Sequence, residues 1–150
     1  MPTEPLAILL AEDDAGHATL VQRNLRRGGI ANTVVHVTDG QAALDYARCA
    51  GAYAGRVRRG PLLLMLDINM PRLDGVEALR ALKADEATRR IPVIMLTTTD
   101  DPREIERCYA LGCSVYITKP VAYDRFVEAI TQLGLFLQVV QVPAETAGAE

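Results

Sequence analysis

Leu64-Met65-Leu66-Asp67-Ile68-Asn69-Met70-Pro71 is an apolar run that stops on a carboxylate and then turns. With Leu62 and Leu63 in front of it, the run reads as a strand covered on both faces, since a half-exposed strand would alternate apolar with polar residues. Three further runs end in the same way. Leu6–Ala11 stops at Glu12-Asp13-Asp14, Pro92–Leu96 stops at Thr97, and Val115–Thr118 stops at Lys119-Pro120. Four segments therefore each deliver a polar group at their C-terminal end. In an open parallel sheet those ends lie side by side, beneath the crevice where ligands bind.

The intervening segments carry helical spacing. Ala18, Val21 and Leu25 mark one helix, stopped by Gly28-Gly29, and Asp39 offers an N-cap for a second helix bearing Ala43, Leu44 and Ala47. Val76, Leu79 and Leu82 mark a third, Ile105 and Tyr109 a fourth behind the cap Asp100-Asp101-Pro102, and Phe126, Val127, Ile130 and Leu133 a fifth. Thr33–Val37 supplies one more strand, making five alternations of strand and helix. That rhythm predicts an α/β fold with helices on both faces of a five-stranded parallel sheet. Right-handed crossovers favour the flavodoxin-like, doubly wound (βα)5 arrangement in the order 2-1-3-4-5. The order sets the first strand beside the third, and so Glu12-Asp13 beside Asp67. Cys49 to Pro61, with three glycines and Arg56, Arg58 and Arg59, reads as a long loop with a solvated cationic cluster.

Composition narrows the class of protein. The chain has 150 residues, 49% hydrophobic and 23% charged, with a net charge of -3, which gives no electrostatic reason to expect nucleic-acid binding. Cys49, Cys108 and Cys113 lack metal-ligand spacing and read as small hydrophobes, while His17 and His36 read as structural. No secretory leader or bilayer-length apolar run is visible, so the expected location is the cytoplasm and no membrane partner is expected.

Three crowded carboxylates repel one another unless a cation neutralises them, and an all-oxygen donor set favours Mg²⁺. Asp13 and Asp67 are the expected direct ligands, with Glu12 acting through water and the backbone carbonyl near Asn69 completing the set. Lys119 is expected to pair with Asp67 at rest and with a phosphoryl oxygen afterwards. Thr97 supplies a hydroxyl to another phosphoryl oxygen. Together these groups fit phosphoryl transfer onto Asp67.

The ordered set Glu12-Asp13, Asp67, Met70-Pro71, Asp74-Gly75, Thr97 and Lys119-Pro120 resembles the signature of response-regulator receiver domains of two-component signalling, over about Leu6 to Leu133. The resemblance implies that Asp67 is the phosphoacceptor, charged by a sensor histidine kinase, and that Glu12 and Asp13 form the Mg²⁺ pocket. It also implies that Tyr116 swings inward together with Thr97 on activation, and that Asn69 and Thr98 occupy positions that tune dephosphorylation. The loop with Tyr53 and Arg56 to Pro61, the stretch Leu66-Asp67-Ile68-Asn69-Met70-Pro71-Arg72, and Lys119-Pro120-Val121 with the following Phe126 resemble the small response regulators that serve phytochrome-type kinases.

The implied organisation is an N-terminal extension at 1–5, one receiver domain over 6–142 whose residues 134–142 form an apolar extension, and a flexible tail at 143–150. With no room for an output domain, the signal is expected to leave through contact with a downstream protein. The apolar extension and the last helix are expected to form a homodimer. The chain is read as a phosphoacceptor rather than an enzyme. A haloacid-dehalogenase-like phosphohydrolase is the alternative, but it needs an acid where Asn69 stands; a phosphorylation-independent scaffold would need a broken site.

Overall fold

The computed structural model describes residues 5–57, 60–98 and 100–133. The proposed extension at 134–142, the tail, most of the N-terminal extension, and Arg58 and Arg59 lie outside the described residues. Five strands, β1 (Ala7–Ala11), β2 (Val34–Val37), β3 (Leu62–Asp67), β4 (Val93–Thr97) and β5 (Val115–Thr118), alternate with five α-helices. The helices are α1 (Ala15–Arg27), α2 (Gly40–Arg48), α3 (Gly75–Ala84), α4 (Pro102–Ala110) and α5 (Tyr123–Gln132). All strand pairs are parallel and the order is β2-β1-β3-β4-β5, as the sequence predicts.

The two-residue strand period divides the core into two layers. Leu9, Leu64, Leu66, Met95 and Tyr116 point toward α2, α3 and α4, where Leu44, Leu79, Leu82 and Cys108 meet them. Ile8, Leu10, Leu63, Met65, Ile94, Leu96 and Ile117 point the other way, toward Val21 and Leu25 of α1 and Phe126 of α5. Each fully buried large side chain contributes about 1.5–3 kcal/mol by leaving water, so the central strands carry much of the stability.

Aspartates set the helix starts. Asp14, Asp39, Asp74 and Asp101 each accept a backbone N–H in the first turn of α1, α2, α3 and α4. All four stand at the C-terminal edge of the parallel sheet, and Asp14 and Asp74 fix the loops that follow β1 and β3, which carry the acidic groups. Gly75 opens α3 in direct contact with β3: a Cβ there would lie 2.1 Å from the Asp67 carbonyl oxygen.

Three expectations need correction. Asp67 and Thr97 are the last residues of their strands rather than the first beyond them. The 49–61 segment is not plain loop, because Gly51–Tyr53 forms a 3₁₀ turn, and Arg56 is not solvated. Its guanidinium stacks 3.9 Å from the Tyr46 ring centre and donates twice to the Tyr46 carbonyl, and Tyr53 meets Tyr46 edge-on. Tyr109 is no core residue of α4; it is 47% exposed, and its hydroxyl accepts the Tyr116 N–H of β5 at 3.1 Å.

Candidate active site

Strand register assembles the site. Ala11 pairs with Leu66, so Glu12 stands level with Asp67. Asp67 pairs with Leu96, which lifts Thr97 one residue higher, and Thr97 pairs with Thr118, which lifts Lys119 one more. At about 3.3 Å per residue, only a long side chain on Lys119 can reach back down to Asp67. Lysine has that length.

The Lys119 ammonium lies 3.2 Å from Asp67 Oδ2 and donates to Glu12 Oε1. The sequence reading paired this lysine with Asp67 alone, so the Glu12 contact was missed. Glu12 is fully buried, and its second oxygen accepts the Asp14 N–H. Burial pushes the Glu12 carboxyl above its usual range; Lys119 opposes that shift, and the neighbouring Asp67 adds to it. Asp13 is exposed, and one carboxylate oxygen from each of Glu12, Asp13 and Asp67 falls within 4.8 Å of the others.

Three carboxylates against one ammonium leave two negative charges uncompensated in this cluster. An oxygen-rich, doubly negative pocket with an exposed side suits a hard divalent cation that keeps some of its water. Glu12, Asp13 and Asp67 are the residues that could hold one. Asn69 is exposed in the turn after β3, in an open cleft that Asp74, Asp101 and Glu104 also line.

Thr97 is fully buried. Tyr116 is 8% exposed and shares a side-chain hydrogen bond with Thr97; burial raises its phenol above the ordinary value while that bond pulls it back. The Lys119-Pro120 peptide is cis.

The two histidines, read from the sequence as structural, both lie beside Glu12. His36 Nε2 donates to the Glu12 carbonyl at 2.7 Å from the neighbouring strand. His17 Nδ1 lies 3.1 Å from Lys119 Nζ and 3.8 Å from Glu12 Oε1. One signal could have found His17: with Asp14 as N-cap, it falls in the first turn of a helix that begins above β1. For His36, β2 beside β1 gave the only hint.

Residues 8–131 match the sequence profile of the response regulator receiver domain. The chain is 33% identical over 141 residues to the response regulator Rcp1 of Synechocystis, covering 93% of this chain and 95% of that protein. Among solved structures, the bacteriophytochrome response regulator AtBRR superposes with a TM-score of 0.80 at 37% identity, covering 90% of this chain and 96% of the other. A response regulator receiver domain from Rhodospirillum rubrum is 50% identical, with a TM-score of 0.70 over 91% of this chain and 96% of its own. No helix among the described residues is long and apolar enough to cross a membrane.

Proposed function

The chain belongs to the response regulator receiver family of two-component signalling, and from that premise we propose that it is switched by a phosphoryl group carried on Asp67. The observation that carries this reading is the buried Asp67 carboxylate, 3.2 Å from the Lys119 ammonium inside a three-carboxylate cluster. The donor is a phosphohistidine on a sensor histidine kinase. An Asp67 oxygen bonds to phosphorus as the phosphorus–nitrogen bond breaks, and the bond's electron pair leaves with the imidazole. Likeness to the bacteriophytochrome response regulator AtBRR favours a phytochrome-type kinase as that donor.

Glu12, Asp13 and Asp67, with the Asn69 carbonyl, hold Mg²⁺, which supplies positive charge for the phosphoryl oxygens. The chain's own residues do the rest. Lys119 turns from the carboxylates toward a phosphoryl oxygen, and Thr97 offers its hydroxyl to another. Tyr116, bonded to Thr97, follows that movement. The change reaches the surface around α4 and β5 and is read there by a downstream protein. The last helix with residues 134–142 forms a homodimer, and the protein works in the cytoplasm as a phosphoacceptor without turnover of small substrates.

Intact mass after incubation with acetyl phosphate and Mg²⁺ tests the reading. One labile phosphoryl group is expected in the parent and none in Asp67→Asn. Labelling that survives in Asp67→Asn removes the assignment, and steady release of phosphate from small esters would mark a hydrolase instead. Sedimentation before and after phosphorylation tests the dimer, which a monomer in both states would refute.

A further inference from the structure

The Lys119 ammonium has three protons and three acceptors. Glu12 Oε1, Asp67 Oδ2 and His17 Nδ1 surround it, the last at 3.1 Å. An ammonium can only donate, so the His17 Nδ1 accepts and its ring proton sits on Nε2. Two of the acceptors are carboxylates that belong to the charge cluster. The third is an uncharged nitrogen from a different element, and it is built into place. The His17 N–H is donated to Asp14 Oδ1 at 3.0 Å, and the Asp14 N–H is donated to Glu12 Oε2 at 3.1 Å. The turn between β1 and α1 therefore locks His17 to the same glutamate that Lys119 touches.

We infer that His17 is a positioning residue for phosphoryl uptake: its Nδ1 holds the Lys119 ammonium at the mouth of the crevice while the two carboxylates compete for it. The inference rests on the phosphoacceptor reading of Asp67 and adds a residue to it. Glu12 and Asp67 both draw Lys119 inward and down. A lysine held by carboxylates alone would sink into the pocket and give up the place where a phosphoryl oxygen must be met. A neutral acceptor on the rim provides an outward anchor that adds no charge. With Asp67 occupied, the ammonium can exchange a carboxylate for a phosphoryl oxygen without losing its third partner. His17 has a side chain 46% exposed, so replacing it disturbs little packing.

Three substitutions separate the acceptor from the bulk. His17→Asn keeps an oxygen at the covalent position of Nδ1, His17→Leu keeps volume without an acceptor, and His17→Ala removes both. Phosphoryl uptake from acetyl phosphate at saturating Mg²⁺ is expected to slow about tenfold in His17→Leu and His17→Ala, the scale of one hydrogen bond to a charged group, and to stay near the parent rate in His17→Asn. Parental rates in His17→Leu and His17→Ala would overturn the inference, as would an equally slow His17→Asn. A second measurement stands apart from phosphorylation. The His17 ring-nitrogen resonances should report a protonated Nε2 and an accepting Nδ1, and the Nδ1 resonance should move in Lys119→Met. An Nδ1 resonance unchanged by Lys119→Met removes the contact and with it the inference. If the parent takes up no phosphoryl group, the Asp67 reading fails, while the resonance still decides whether His17 holds Lys119.

Discussion

The two ends of the sheet handle charge in opposite ways. At the C-terminal edge, Glu12, Asp67 and Lys119 are almost wholly withdrawn from water, and the Glu12 carboxyl is forced upward by its own burial. At the N-terminal edge, an open hollow of about 450 Å³ is lined by Ala7, Pro61, Leu62, Ile91 and Pro92, with Arg56 on its wall. That guanidinium keeps its charge and rests on the uncharged ring and carbonyl of Tyr46. Both ends bear ionised groups. At the first, three carboxylates share one ammonium within a single cluster, and surplus charge gathered at strand ends is what calls for an outside cation.

A paired glycine substitution gives the largest expected contrast. In Gly75→Ala the new methyl would stand 2.1 Å from the Asp67 carbonyl oxygen and 2.9 Å from Ile68 Cα, both backbone atoms that cannot swing aside. The loss should be about 3 kcal/mol or more in urea unfolding, because the clash moves the strand that carries Asp67. Gly55, near the other end, has nothing within 4 Å of its added Cβ and no left-handed φ. Gly55→Ala should be neutral or stabilising by roughly 0.5 kcal/mol. Similar losses at both positions would erase the distinction between a crowded edge and an open one.

Arg56→Met comes next. It removes two hydrogen bonds to the Tyr46 carbonyl and a cation over the Tyr46 ring. The expected cost is about 1–2 kcal/mol in the same unfolding measurement, with phosphoryl uptake from acetyl phosphate unchanged. A slower uptake would mean that the two ends are coupled through the sheet.

How much of this was legible beforehand follows from the range of each interaction. β3 and β4 announce themselves as continuous apolar runs, and their order follows from chain rhythm, so Asp67, Thr97 and Lys119 could be placed on one edge from the letters alone. The Lys119 contacts with Glu12 and His17 join residues 107 and 102 positions apart, and they depend on side-chain length and direction, to which periodicity is blind. Arg56 was misread for the same reason: a cluster of arginines looks solvated until the ring beneath one of them is known. Tyr109 fell at helical spacing with Ile105, yet it lies at the margin of the buried stripe, where its hydroxyl reaches an edge-strand N–H instead of the core.

The smallest effect is expected from the proton on Glu12, because Lys119 and the Asp14 N–H offset part of the burial that raises it. A carboxyl raised above 4.5 keeps its proton in the folded chain after the unfolded chain has lost it. Stability then falls as pH rises through the window above 4.5, and grows as pH is lowered from neutrality into it. Asp14 works in the opposite sense: held below 3.8 chiefly by the His17 N–H, it contributes stability above that value that is lost as pH falls further. The urea midpoint of the parent in chelator should therefore climb modestly on acidification before it drops. In Glu12→Gln the climb should vanish, and in Mg²⁺ it should flatten, since a bound cation favours the ionised carboxylate that acid would otherwise remove. A parent midpoint that declines steadily from neutrality, in step with Glu12→Gln, would mean that the charge in the crevice is already settled by its neighbours, and the C-terminal edge would then be no different in kind from the wall where Arg56 rests on Tyr46.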